Sequence, residues 1–194
     1  PALYSVSEET VQALEQFVRQ GGVLVSTFRS FVADRNLSIY PDRKPYGLNE
    51  CFGMMYQQFT EPGRMTVEGK SARYFAELLQ PKEAETLASY EHKYWGRYSA
   101  VTRNRYGEGS AYYVGTYLSK EQLKKYLLSA AADGGIAIPA QRWPVIIKSG
   151  TADGKKLHYI LHYSEDCREI DCPCEEAEEL FTGRIYRRGE KILL

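Results

Sequence analysis

Several side chains in this sequence have the types, though not always the spacing, for chemistry. Cys167-x4-Cys172-x-Cys174, with His158 and His162 shortly upstream, supplies the donor atoms that zinc prefers. The paired two-residue cysteine spacing of fingers and ribbons is missing, so ordinary buried or edge thiols are the simpler reading. His158 and His162 fall on a strand-like run, where their separation puts both rings on one face about two pleats apart rather than converging on one ion. Cys51 could be a nucleophile at a strand-to-helix elbow. Glu50-Cys51-Phe52 lacks the small neighbours such an elbow needs, however, and no His-x-Glu pair follows, so a core thiol fits better. Gly107-Glu108-Gly109 has the glycines of a phosphate cradle, but no Lys-Ser or Lys-Thr follows and the next segment is strand-like, which leaves a hairpin turn. Glu175, Glu176, Glu178 and Glu179 form a run on a solvated surface, not two carboxylates facing each other at strand ends. No catalytic, cofactor-binding or metal-binding residue is therefore expected.

The elements that would position any site start with residues 7–30, a helix feeding a strand. Ser7 can accept from the amide of Thr10, and Ser5 with Glu8 offers a reciprocal capping box. Val11, Leu14 and Val18, with Phe17 beside them, lie on one helical face. Gly21 or Gly22 ends the helix, and the unalternated run Val23-Leu24-Val25 reads as a strand buried on both faces, which implies a parallel α/β sheet. In such sheets ligands sit beyond the carboxyl ends of strands, so Ser26 to Ser30 is the first place to look for chemistry. Pro1 to Tyr4 would finish a strand beside Val23 to Phe28, in a fold interrupted at its amino end.

Residues 31–50 read as a long surface loop, and Cys51, Phe52, Met54, Met55 and Tyr56 return the chain to apolar surroundings. Residues 71–79 can form a short helix with Tyr74, Phe75, Leu78 and Leu79 inward, stopped by Pro81. Leu87 to Tyr90, Ala100 to Arg105 and Ala111 to Thr116 are strand-like, the last two joined as a hairpin at Gly107-Glu108-Gly109. Ser119 with Gln122 is a capping box opening a helix whose buried stripe is Leu123, Tyr126, Leu127 and Ala130, ending at Gly134-Gly135. Ile136 to Arg142 reads as a linker. Trp143 to Lys148, Leu157 to Tyr163, Arg168 to Cys172 and Arg184 to Tyr186 then read as short strands, with Asp153-Gly154 as a hairpin turn. Arg187 to Glu190 is a further turn, and Lys191 to Leu194 pairs at an edge or frays, so that extending the chain past Leu194 would raise its thermal stability.

With 194 residues, 43% of them hydrophobic, there is enough chain for one ordinary domain and a small appendage. Lysine plus arginine and aspartate plus glutamate balance at 25 each, so no overall field favours nucleic acid or an anionic membrane. Tyrosines are spread along the whole chain, so Arg97 to Arg105 is no stacking platform for single strands. No apolar run reaches the length of a membrane span, and the sparse cysteines suit a reducing compartment.

Several segments together resemble the C-terminal half of glycoside hydrolase family 42 β-galactosidases. PALYSVSEETVQALEQFVRQGGVLVSTFRS resembles a strand end, helix, Gly-Gly and strand of that family, and GLNECFG its next element. SAVTRNRYGEGSAYYVGTYLS resembles its Ala-Val-Thr-Arg, Tyr-Gly-x-Gly, Tyr-Val-Gly-Thr hairpin almost residue by residue, and KLHYILHYS a strand of its small C-terminal β domain. His162 stands where the family usually has Asn, and Phe31 where it commonly has Gly.

The resemblance implies that residues 1–139 are an N-terminally incomplete trimerisation domain, a flavodoxin-like parallel sheet with helices related to class I glutamine amidotransferases but without their catalytic residues. It implies that residues 140–194 are a small β-sandwich-like domain lacking its last strand. It further implies a cytoplasmic homotrimer whose galactosyl-removing glutamates lie on a TIM barrel N-terminal to this chain, with no cofactor, nucleic-acid or membrane partner. The competing expectations are a free-standing amidotransferase-like module with a ligand at Ser26 to Ser30, and a carbohydrate-binding β module using Trp143, Tyr159 and Tyr163.

Overall fold

The computed structural model describes residues 2–41, 44–136 and 143–194. The chain divides into two compact units, Pro1–Ile138 and Pro139–Leu194. The linker expected from Ile136 to Arg142 lies, apart from Ile136, outside the described residues, as does Pro1.

Unit 1 opens with α1 (Glu8–Arg19), β1 (Val23–Thr27) and α2 (Asn49–Phe52). Seven strands follow: β2 (Met54–Met55), β3 (Phe59–Thr60), β4 (Thr66–Val67), β5 (Lys70–Ser71), β6 (Arg73–Glu77), β7 (Gln80–Pro81) and β8 (Glu85–Ser89). The unit ends with β9 (Ser99–Tyr106), β10 (Gly109–Val114), β11 (Thr116–Tyr117) and α3 (Lys120–Asp133). Its main sheet has the order β1-β10-β9-β8, in which only β1 and β10 run parallel. A three-stranded antiparallel sheet, β11-β6-β3, lies in the same unit.

The expected flavodoxin-like parallel sheet is therefore not what forms. The unit is mostly strands in small separate sheets, with one parallel pair among the described residues. The physical reason is local. The tight turn at Gly107 and Glu108 joins β9 to β10 and forces them antiparallel, because parallel neighbours need a crossover of a dozen or so residues. The strand buried on both faces is β10, every residue of which is buried, whereas Val23, Leu24 and Val25 are only half-buried on an edge strand. Alternation along β10 feeds two cores. Tyr113 and Ala111 meet Val11 and Val18 of α1 with Phe52 and Met54, while Val114 belongs with Tyr126 of α3, Val101 and Tyr90.

Other local readings also need correction. The Ser7 cap on Thr10 forms (3.3 Å), but Ser5 instead bridges Ala33, so no Ser5–Glu8 box exists. Leu3 and Tyr4 hydrogen-bond to Phe31, Val32 and Ala33, not to the Val23 to Phe28 strand. In the expected surface loop, Phe31, Ala33 and Leu48 are buried. The expected helix at 71–79 is instead the end of β5, the whole of β6 and the residues beyond it, because pairing with β3 and β11 on either side outweighs local helix preference. The Ser119–Gln122 capping box is present, and Gln122 Nε2 also donates to the Val67 carbonyl (2.6 Å). Leu127, expected in the α3 stripe, is exposed.

Unit 2 consists of three antiparallel pairs. β12 (Val145–Ala152) and β13 (Lys155–His162) meet at the Asp153-Gly154 turn, whose φ values of 50° and 74° suit a primed turn. β14 (Glu169–Asp171) pairs with β17 (Lys191–Leu193), and β15 (Glu176–Glu178) with β16 (Ile185–Arg187). No helix among the described residues is long and apolar enough to cross a membrane.

Candidate functional site

The residues singled out by type do not assemble into reaction chemistry. Cys51 is buried on α2, and burial pushes its thiol up to about 12, so it holds its proton at neutral pH. Ser30 is saturated: its hydroxyl donates to the Thr27 carbonyl (2.7 Å) and accepts from the Leu3 amide (3.1 Å). His158 pairs with Ser149 and His162 with Ser164, both at 2.8 Å, so the two rings serve separate partners. Cys172 and Cys174 have sulfurs 3.9 Å apart, and Cys167 is exposed. Among the described residues no three His, Cys, Asp or Glu side chains converge as metal ligands. The glutamate run is split between ion pairs and a loop cap. Glu175 meets Arg188 (2.8 Å), Glu176 meets Arg187 (3.5 Å), and Glu179 accepts from the amides of Phe181 and Thr182. Gly107-Glu108-Gly109 is a hairpin turn held against the end of α1, with the Glu108 amide donating to the Arg19 carbonyl (3.1 Å).

What the structure does bring together lies just past the carboxyl end of β1, in the Ser26 to Ser30 stretch singled out above, but sequence reasoning missed its central residue, Glu77. Glu77, at the end of β6, is almost fully buried. Its carboxylate accepts from the Arg29 amide (2.7 Å) and the Tyr113 hydroxyl (2.9 Å), and its own carbonyl accepts from the Tyr90 hydroxyl (2.9 Å). Burial raises its pKa to about 7, opposed by the Arg29 amide and the nearby tyrosines. Tyr56 opposes the rise through proximity, although its hydroxyl meets no acceptor in good hydrogen-bond geometry. The carboxyl thus fixes the backbone of Arg29, which sits at a φ of 60° that side-chain-bearing residues seldom adopt.

Arg29 in turn organises a surface. Its guanidinium lies over both the Tyr4 ring (5.2 Å) and the Phe75 ring (5.1 Å). Phe75 stacks on Phe59 (4.7 Å, 26°) and lies 6.1 Å from Phe28. The adjacent Tyr74, at φ 62°, turns its ring edge-on to Tyr117 of the neighbouring strand β11 (5.0 Å). Tyr74 is 73% exposed, Phe59 61% and Tyr117 47%, so the β11-β6-β3 sheet carries two partly exposed ring pairs, Tyr74–Tyr117 and Phe59–Phe75. The sequence had assigned Tyr74 and Phe75 inward on a helix. The available signal was the aromatic pair Tyr74-Phe75, which favours a strand, but the run is too short for periodicity to separate strand from helix. In unit 2, Trp143 stacks on Tyr163 (5.5 Å, 11°), and both are exposed, as is Tyr159.

Residues 1–137 match the family model described as the β-galactosidase trimerisation domain, and the chain belongs to that family. Among curated relatives, the β-galactosidase Pbg of Clostridium perfringens is 30% identical over 209 residues, covering 99% of this chain and 30% of that protein. The β-galactosidase LacA of Lactobacillus acidophilus is 27% identical, covering 98% and 30%. The solved structure of Gan42B, a GH42 β-galactosidase, superposes with a TM-score of 0.85 at 27% identity over 100% of this chain and 29% of its own. The chain thus spans about 30% of the length of the curated relatives it matches.

Proposed function

We propose that this chain is the non-catalytic assembly segment of a cytoplasmic β-galactosidase that removes terminal β-D-galactosyl residues and works as a homotrimer. In this reading residues 1–139 form the trimerisation domain and 140–194 a small β domain. The hydrolytic carboxylates belong to a TIM barrel elsewhere in the parent chain, and this segment supplies no catalytic, cofactor or metal residue. The observation that carries the reading is the trimerisation-family match over residues 1–137, joined to the superposition of the whole chain on less than a third of a full β-galactosidase. The chemistry agrees, since the one deeply buried carboxyl, Glu77, is occupied by Arg29 and Tyr113 and faces no second acid at hydrolytic spacing among the described residues.

The test is hydrolysis of a chromogenic β-galactoside by this chain and by the protein expressed from its complete coding sequence. The expected result is turnover by the complete protein and none by the 194-residue chain. Turnover by the chain that is lost in Glu77→Gln, or an inactive complete protein, would overturn the reading.

A further inference from the structure

We propose that Cys172 and Cys174 form a thiol-modification site, converted reversibly to an intramolecular disulfide by low-molecular-weight disulfides. The inference is independent of the assembly reading. Among the described residues this is the one place where two sulfurs approach each other, with Sγ atoms 3.9 Å apart. A disulfide needs about 2.05 Å between sulfurs, so closure from 3.9 Å asks for about 2 Å of movement, which rotation of the two short side chains can supply. Neither sulfur is tied up elsewhere. Cys172 Sγ otherwise faces the carbonyls of Cys174 (3.5 Å) and Tyr186 (3.9 Å), and Cys174 Sγ that of Glu176 (3.6 Å), all weak thiol contacts. The backbone on both sides is held: the Cys172 amide donates to the Glu190 carbonyl (3.0 Å) and the Arg188 amide to the Glu175 carbonyl (3.0 Å), while Pro173 between the thiols has a fixed φ.

The two thiols differ in access. Cys172 is 4% exposed, whereas Cys174 is half-buried, so Cys174 is the entry thiol. Its thiolate attacks one sulfur of the incoming disulfide, forming a mixed disulfide and expelling the other half as a thiolate that takes up a proton. Cys172, its proton lost to solvent, then attacks the Cys174 sulfur; the protein disulfide forms, and the second small thiolate leaves and is protonated. Two protein thiols are oxidised and one small disulfide is reduced to two thiols, so atoms, protons and electrons balance. Burial and the adjacent Cys172 sulfur hold the Cys174 thiol up, against the pull of Lys156 and Arg188, so entry is slow, on the order of minutes to hours. A ring closed over the single residue Pro173 has little freedom to reach unstrained disulfide geometry, which makes the bond readily reduced again. The site is the link from β14 to β15, so oxidation stiffens the junction between two strand pairs of unit 2.

The test uses the protein expressed from its complete coding sequence, reduced and freed of reductant. It is incubated with oxidised glutathione, and its remaining thiols are blocked with N-ethylmaleimide in denaturant. The tryptic peptide 169–184, which holds these two cysteines and no others, is then weighed by mass spectrometry. The peptide should lose both labels and be two hydrogens lighter than the unblocked dithiol, and prior treatment with dithiothreitol should restore both labels. Cys172→Ser should stop at a single glutathione adduct on Cys174, and Cys174→Ser should carry at least roughly 10-fold less adduct in the same time, because its remaining thiol is buried. In a glutathione redox buffer the parent's ratio of disulfide to dithiol should exceed that of a synthetic 169–184 peptide roughly 10-fold or more, since the fold holds the sulfurs adjacent before the bond forms. The measurements on the parent need no substitution, so they stand even where a variant fails to fold. Full labelling of both thiols after oxidation, arrest of the parent at a glutathione adduct, or a ratio no greater than that of the free peptide would overturn the site. Equal adduct on the two folded variants would overturn the entry through Cys174.

Discussion

Unit 1 sandwiches its four-stranded sheet between two buried clusters, with Tyr113, Phe52 and Met54 on one side of β10 and Val114, Tyr90 and Leu78 on the other. In unit 2 the buried hydrophobic side chains among the described residues are Pro144, Val145, Cys172 and Ile192, while Trp143, Leu180 and Phe181 stand in solvent. Its strands are held by backbone ladders and exposed ion pairs such as Asp171–Lys191. Isolated two-stranded pieces are marginal in water, and exposed ion pairs contribute little. The contrast teaches where sequence change is tolerated: unit 1 is constrained by volume, unit 2 by pairing.

The largest effect should come from backbone crowding in unit 1. A Cβ on Gly109 would lie 2.2 Å from the carbonyl oxygens of both Val18 and Gly22, where α1 and β1 close on the hairpin. Gly109→Ala should cost roughly 3 kcal/mol or more in a urea melt, since backbone atoms on both sides must shift. A loss under about 1 kcal/mol would mean that α1 does not seat as described.

Glu77 offers the next test, through pH. Its ordinary carboxyl value of 4.5 rises in the folded state to about 7 through burial, so folding favours the protonated form. That stabilisation is fully present below pH 4.5 and is lost as pH rises through about 7. The gap corresponds to on the order of 3 kcal/mol at most. Urea midpoints measured between about pH 5 and 8 should fall for the parent relative to Glu77→Gln, which cannot ionise. Parallel curves for the two proteins would contradict the buried carboxyl.

Much of this was legible beforehand, and the failures share a cause. The Ser7 cap, the Ser119–Gln122 box, the β9–β10 hairpin and the Asp153-Gly154 turn are each fixed by a few adjacent residues, and they were readable for that reason. The sheet architecture and β6 depend on partners dozens of residues away: β10 pairs with β1 across a long connection, and β6 lies between β3 and β11. Helix preference and apolar runs carry no such information. Glu77 was invisible because nothing in its neighbours signals that the Arg29 amide and Tyr113 would close over it.

Smaller effects belong to unit 2. Ile192 pairs with Ile170 across β14 and β17 and keeps 9% of its surface exposed, outside either large core cluster, so Ile192→Ala should cost about 2 kcal/mol, the low end for core truncation. Gly150, on β12, has nothing within 4 Å of an added Cβ, so Gly150→Ala should change stability by less than about 0.5 kcal/mol. Equal costs for Gly109→Ala and Gly150→Ala would erase the contrast between the units.

The most direct test of the assembly role is the mass in solution of the protein expressed from its complete coding sequence, measured by light scattering across a dilution series. Three times the mass of one chain, with dissociation only on dilution, is the expected result. A single-chain mass at every concentration would contradict it.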